Sequence, residues 1–106
     1  MAKKLDSAYV IRVRGEIDVA TAPEVRRALG SAITMPSLRV VLDLCDVNFI
    51  DSTGLQALLH AQRRLRDLHR NLVILCPGGQ VLRAFEIANL LDTFRVAANL
   101  EAALAE

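Results

Sequence analysis

The sequence predicts an α/β domain: a mostly parallel, mixed sheet of four to five strands packed with four helices. Short apolar segments of strand character alternate along the chain with longer stretches of helical periodicity. The apolar segments in the middle of the chain are nearly unbroken, as in strands covered on both faces. The stretches between them are long enough for right-handed crossovers, which lay helices onto a parallel sheet.

The first strand runs from Tyr9 to Arg14, with Tyr9, Ile11 and Val13 on one face and Arg12 and Arg14 on the other. Gly15-Glu16-Ile17-Asp18 then leads to Thr21, a good N-cap, with Pro23 and Glu24 in the first helical turn. Val25, Ala28, Leu29, Ala32 and Ile33 follow at helical spacing, and Pro36-Ser37 stops the helix. Leu38 to Leu44 reads as a buried strand. Ser52 to Leu68 is the second long helix, with Leu55, Leu58, Leu59, Leu65 and Leu68 facing inward and Arg63, Arg66 and Arg70 along an outer face. Asn71 breaks that pattern before the buried strand Leu72 to Cys76. After the Pro77-Gly78-Gly79 turn, Val81, Leu82, Phe85, Ile87 and Ala88 suit a third helix. Thr93 to Val96 makes a short last strand, and Leu100, Ala103 and Leu104 lie on one face of a terminal helix.

Residues 1–106 have the length of one compact domain, with no internal repeat, low-complexity tract or linker. A composition of 53% hydrophobic and 24% charged residues argues for a packed core against disorder. A net charge of +1 gives no global field toward nucleic acid or membrane. The longest apolar run, Leu72 to Cys76, is too short to cross a bilayer, and Met-Ala-Lys-Lys-Leu-Asp lacks the apolar stretch of a secretory signal. The expectation is a soluble, cytoplasmic chain.

Enzyme chemistry finds little footing. There is no P-loop, dinucleotide fingerprint or nucleophile elbow. His60 and His69 fall among arginines on the second helix, without metal-ligand partners at useful spacing. Asp43 and Asp46 flank Cys45 and read as loop solubility, since nothing completes an oxygen cage for a hard cation. Cys45 and Cys76 form neither a disulfide framework nor a metal-ligand pattern, and read as two small buried hydrophobes in a reducing compartment. No catalysis, metal or cofactor is expected. The Arg63, Arg66 and Arg70 stripe is either a solvated flank favoured by the helix dipole or a contact for an acidic partner. It is a poor nucleic-acid site, because most of Tyr9, Phe49, Phe85 and Phe94 look like core.

The informative segment is Asn48-Phe49-Ile50-Asp51-Ser52-Thr53-Gly54-Leu55, between a buried strand and an amphipathic helix. Asp51 or Ser52 is the N-cap, and Gly54 lets the first turn approach neighbouring backbone. Local physics alone reads this as an ordinary capped helix start. A phosphate on a serine here would nonetheless be tolerated, since free backbone N–H groups and the helix dipole favour an anion. The surface charge would change sharply while the fold stayed intact.

Val41-Leu42-Asp43-Leu44 followed by Val47 to Leu55 resembles the signature of the anti-sigma factor antagonists, whose fold is the STAS domain. Val13-Arg14-Gly15-Glu16-Ile17-Asp18 is similar to that family's upstream turn, and Leu82, Phe85, Ile87, Leu90 and Phe94 to its ending. The resemblance implies that Ser52 is phosphorylated by a partner that is both anti-sigma factor and serine kinase. It places Asp18 beside that site, with Asp51, Thr53 and Gly54 flanking it and Thr53 as a second acceptor. Partner switching follows: the unphosphorylated chain binds the kinase and frees a sigma factor, and a serine phosphatase resets the system. A monomer or weak dimer is expected. The alternative is an unphosphorylated STAS scaffold subunit of a transport or stress-sensing complex. The family's extra first strand would have only Ala2 to Leu5 to form it, and on such a fold Cys45 and Cys76 would end neighbouring strands, where proximity would permit a redox link.

Overall fold

The computed structural model describes residues 2–5, 8–36 and 39–105. The elements follow the predicted alternation: β1 (Ala2–Leu5), β2 (Ala8–Ile17), α1 (Ala22–Ile33), β3 (Arg39–Ile50), α2 (Ser52–Asp67), β4 (Asn71–Leu75), α3 (Gly79–Ile87), β5 (Arg95–Ala97) and α4 (Leu100–Leu104). The strands lie in sequence order in one five-stranded sheet. β1 pairs antiparallel with β2, and the pairs β2–β3, β3–β4 and β4–β5 are parallel.

That order dictates the layering. Every parallel crossover steps in the same direction, so crossovers of one hand put α1, α2 and α3 on the same face of the sheet. The main core is built accordingly, with Val25, Leu29, Leu58, Leu65 and Phe85 of those helices packed on Ile11, Val40, Leu42 and Ile74. Phe85 is fully buried and tilts against Phe94, ring centroids 5.4 Å apart. Burying such a ring stabilises by roughly 1.5–3 kcal/mol. Successive strand residues point to opposite faces, so Ala8, Val41, Val73 and Leu75 form a smaller cluster on the other side, with Ala103 of α4 over it. The buried guanidinium of Arg39 donates from Nη1 to the carbonyls of Ala103, Leu104 and Ala105, satisfying the end of α4.

Several boundaries depart from the sequence reading. β2 and β3 continue past Arg14 and Leu44 because they pair with each other as far as Ile17 and Ile50, through register shifts at Arg12/Arg14 and Gly15/Glu16. Bulges of this kind let a strand twist without losing its partner, and Gly15 takes the left-handed φ of +83° that one of them requires. Asp43 is therefore not in a loop: it is buried in β3 and ion-paired to Arg12 Nε at 3.3 Å. The expected strand start at Leu38 and the helix stop at Ser37 lie outside the described residues.

α2 stops through His69, not Asn71. His69 adopts φ +58°, its N–H donates to Arg66 O (2.9 Å), and the N–H of Arg70 donates to Leu65 O (2.8 Å), a Schellman cap. His69 is thus beyond the helix, and Leu68, expected inside, is 51% exposed. Arg70 leaves the predicted stripe as well. Its guanidinium reaches α1 and donates to the carbonyls of Ile33 (2.5 Å) and Ala32 (3.2 Å), capping that helix. The cysteines correct the sequence reading most. Cys45 is exposed, Cys76 is half-buried, and the two are joined in a disulfide with Cα atoms 5.1 Å apart. Asp43–Leu75 is the last rung between β3 and β4, and the bridge closes just past it, between Cys45 of β3 and the residue that follows β4.

Candidate functional site

The site is assembled where β2 and β3 end. Past Ile17 the chain turns at Asp18, whose Oδ1 accepts the N–H groups of Ala20 (3.0 Å) and Thr21 (3.1 Å). Thr21 precedes α1 as expected, but its hydroxyl does not cap the helix. It accepts from Asp18 N–H (2.9 Å) and donates to Glu16 O (2.7 Å), tying the turn back onto the strand. The Thr21 N–H is the chief cause that holds the Asp18 carboxyl below its ordinary range; desolvation opposes it, and the Ala20 N–H adds to it.

β3 delivers the second half. The N–H of Asp51 donates to Ile17 O (3.2 Å), and Asp51 Oδ1 accepts Gly54 N–H (3.0 Å). Asp51, not Ser52, is therefore the N-cap of α2. Gly54 is buried where any side chain would collide: a Cβ there would lie 2.7 Å from Ile17 Cγ2 and Ile50 Cγ1, and 2.8 Å from Ile17 O. This close approach, together with the Asp51–Ile17 bond, sets the start of α2 against the strand that carries Asp18.

Ser52 is then the first helical residue. It is exposed, and its hydroxyl makes no hydrogen bond among the described residues. The cap takes up the Gly54 N–H, leaving the N–H groups of Ser52 and Thr53 without acceptors there. Thr53 is half-buried. The four residues expected around Ser52 thus gather at one place: Asp18 and Asp51 through the Ile17 carbonyl and flanking turn, Thr53 and Gly54 in the first turn of α2.

Sequence reasoning missed a further member, Gln80. Its Oε1 accepts Ile50 N–H (2.9 Å) and its Nε2 donates to Ile50 O (3.1 Å), clasping both backbone groups of the residue just before the cap. Between α2 and α3 lies a shallow groove of about 330 Å³, walled by Ile50, Leu55, Ala84 and Ile87, with Ser52 and Arg83 along it. Ile87 is 79% exposed, an apolar rim beside the serine. Its helical spacing from Phe85 gave no sign of this. The arginine stripe does not extend the site as a unit: Arg66 is exposed, and Arg63 shares a cleft between α1 and α2 with Arg26, His60 and Arg64. Among the described residues, one group of three metal-ligating side chains converges, Asp43, Cys45 and Cys76, and its two sulfurs are bonded to each other.

A mostly parallel sheet in this strand order, with a capped helix presenting a serine where β2 and β3 end, defines a small α/β domain. The chain belongs to the STAS domain family, whose model matches residues 1–103. Among curated relatives, it is 35% identical to the anti-sigma-B factor antagonist of Listeria monocytogenes over 95 residues, covering 89% of this chain and 83% of the relative. The corresponding protein of Staphylococcus epidermidis is 33% identical over 91 residues, covering 86% and 84%. Among solved structures, an anti-sigma factor antagonist from Mycobacterium paratuberculosis superposes with a TM-score of 0.89 at 29% identity, covering 98% of this chain and 88% of that one. The fold expectation, the mostly parallel mixed sheet with four helices, is met in full by β1–β5 and α1–α4. No helix among the described residues is long and apolar enough to cross a membrane.

Proposed function

We propose that this chain is an anti-sigma factor antagonist that works by partner switching, with Ser52 as its phosphoacceptor. The observation that carries the reading is the exposed, unbonded Ser52 hydroxyl at the first position of α2, beside backbone N–H groups with no acceptor. The relatives' names supply the class of partner. Unphosphorylated, the chain docks an anti-sigma factor that is also a serine kinase, using the apolar groove by Ile87 and the Asp18 turn. The sigma factor is thereby released. The kinase brings its own Mg²⁺-bound ATP; the Ser52 oxygen forms a bond to the γ-phosphorus, ADP leaves, and the hydroxyl proton passes to the kinase.

Phosphorylation adds roughly −1.5 to −2 charge at neutral pH. The helix N-terminus accommodates it, and so the domain stays folded. The like charges of Asp18 and Asp51 nearby concentrate negative potential on the docking face and break the complex. A serine phosphatase restores the hydroxyl. Thr53 is the lesser acceptor because it is half-buried. The chain itself is non-catalytic, cytoplasmic, and a monomer or weak dimer, and it uses no cofactor.

The test is affinity for the cognate anti-sigma kinase measured by calorimetry. Ser52→Ala keeps wild-type affinity, whereas Ser52→Asp weakens it by more than tenfold, about 1.4 kcal/mol or more. Equal affinity for Ser52→Asp and wild type would sink the switch and favour a fixed scaffold role.

A further inference from the structure

We infer that Cys45 and Cys76 form a reversible dithiol–disulfide site that regulates the Ser52 surface. The two sulfurs are bonded across the ends of β3 and β4, at a Cα separation of 5.1 Å that lies within the range disulfides adopt. Cys45 is exposed and Cys76 half-buried, so a small oxidant or reductant has direct access to one sulfur. Cys76 also sits at φ +41°, a conformation that a residue other than glycine keeps only when its surroundings hold it there. Its N–H donates to Ala97 O (2.7 Å), which ties it to the end of β5.

The position of the bridge connects it to Ser52. Asp43–Leu75 is the last rung between β3 and β4; beyond it the two chains no longer pair. One runs from Cys45 through Ile50 to Asp51 and Ser52, the other from Cys76 through Gly78 to Gln80. They are tied at one end by the disulfide and at the other by the Gln80 clasp on Ile50. Reduction removes the covalent tie on the β4 side and leaves the segment leading into Ser52 held by its pairing with β2, the clasp and the α2 cap. Disulfides in a reducing compartment are characteristically transient and redox-sensing, which suits the cytoplasmic role proposed above.

The oxidant is a low-molecular-weight disulfide of the glutathione class. The Cys45 thiolate attacks one of its sulfurs, forming a mixed disulfide and releasing one thiolate. The Cys76 sulfur then attacks Cys45 Sγ, the Cys45–Cys76 bond forms, and the second thiolate leaves. The two protons lost by the cysteines end on the two released thiols; the protein is oxidised by two electrons and the small disulfide is reduced by two. The buried Asp43 holds the approach to the bridge in place: its Oδ1 accepts Cys45 N–H (2.9 Å) and its Oδ2 pairs with Arg12 Nε (3.3 Å).

The effect on Ser52 rests on the phosphoacceptor reading, so the test separates the two. The full chain is equilibrated in glutathione buffers of graded redox ratio with a chelator present, then alkylated and mapped by mass spectrometry. The expected result is a single two-electron transition confined to Cys45 and Cys76; a bridge that never forms at any ratio overturns the site. Hydrogen exchange on the two end states should show amides 46–52 exchanging at least threefold faster when reduced, with the α1 amides unchanged. Equal exchange overturns the coupling, independently of any kinase. With the cognate kinase, the reduced and oxidised forms should differ at least threefold in Kd. The Cys45→Ser/Cys76→Ser double variant should match the reduced form in every buffer, and its circular dichroism establishes that it is folded. Redox-dependent exchange without any phosphate on Ser52 would refute the phosphoacceptor reading and leave the thiol site standing.

Discussion

Replacing Gly54 with alanine should destabilise the protein although alanine is the better helix former. In an open helical position, Gly→Ala stabilises by up to about 1 kcal/mol. At Gly54 the new Cβ would sit 2.7 Å from two isoleucine carbons and 2.8 Å from the Ile17 carbonyl oxygen, closer than real Cβ contacts occur. The isoleucine side chains belong to the packed core and the carbonyl to backbone that also accepts Asp51 N–H, so none can retreat freely. Overpacking of this kind costs about 1–3 kcal/mol; with three contacts under 3 Å, one of them to backbone, the upper part of that range, about 2–3 kcal/mol, applies, and the net loss after the propensity gain is about 1–2 kcal/mol. For a domain of this size that lowers Tm by roughly 4–15 °C. Gly30 is the internal control: it lies within α1 with nothing within 4 Å of an added methyl, so Gly30→Ala should raise stability by about 0.5–1 kcal/mol. Thermal and urea unfolding of both variants reads the signs directly. A Gly54→Ala protein as stable as wild type would refute the claim that α2 is pressed onto the end of β2, and with it the geometry that brings Ser52 to the Asp18 turn.

Three further outcomes follow from the same structure. Asp51→Ala removes the side-chain cap on Gly54 N–H and should cost about 1 kcal/mol in urea unfolding, whereas Asp51→Asn should recover most of it. Gln80→Glu replaces a donor with a second acceptor facing Ile50 O, so the variant should unfold about 1–2 kcal/mol more easily and recover part of that loss near pH 4, where the carboxyl protonates. Asp18 has its folded-state pKa lowered, so its contribution to stability is fully present above the unfolded value of about 3.9 and is lost as pH falls through the folded value. Carbon-detected NMR titration should place its midpoint below 3.8, and Asp18→Asn should flatten that part of the acid-unfolding profile.

The order of elements was legible because apolar periodicity reports burial, and burial is what the sheet and helices share. Boundaries were less so. Nothing local in Cys45 to Ile50 marks it as strand; β2 pairs with it across bulges, a tertiary effect. Arg70 looked like the end of a charged stripe because periodicity continues past a helix that His69 has already ended. Ser52, Asp51 and Gly54 were readable from cap chemistry, and Asp18 from its resemblance to a known turn. Gln80 was not, since a glutamine opening a helix looks the same whether it faces solvent or clasps a distant strand. The cysteines were placed at neighbouring strand ends by the resemblance, but two cysteines with no framework spacing read as free buried thiols, and their bond shows only in the three-dimensional arrangement.

The most direct test of the account is phosphoryl transfer itself. The unphosphorylated chain is incubated with its cognate anti-sigma kinase and Mg²⁺-ATP, and the product is mapped by tandem mass spectrometry and assayed for kinase binding. One phosphate is expected, on Ser52, with none on the Ser52→Ala chain and a loss of affinity of more than tenfold after transfer. No phosphate on Ser52, or a phosphorylated chain that binds as tightly as before, would contradict it.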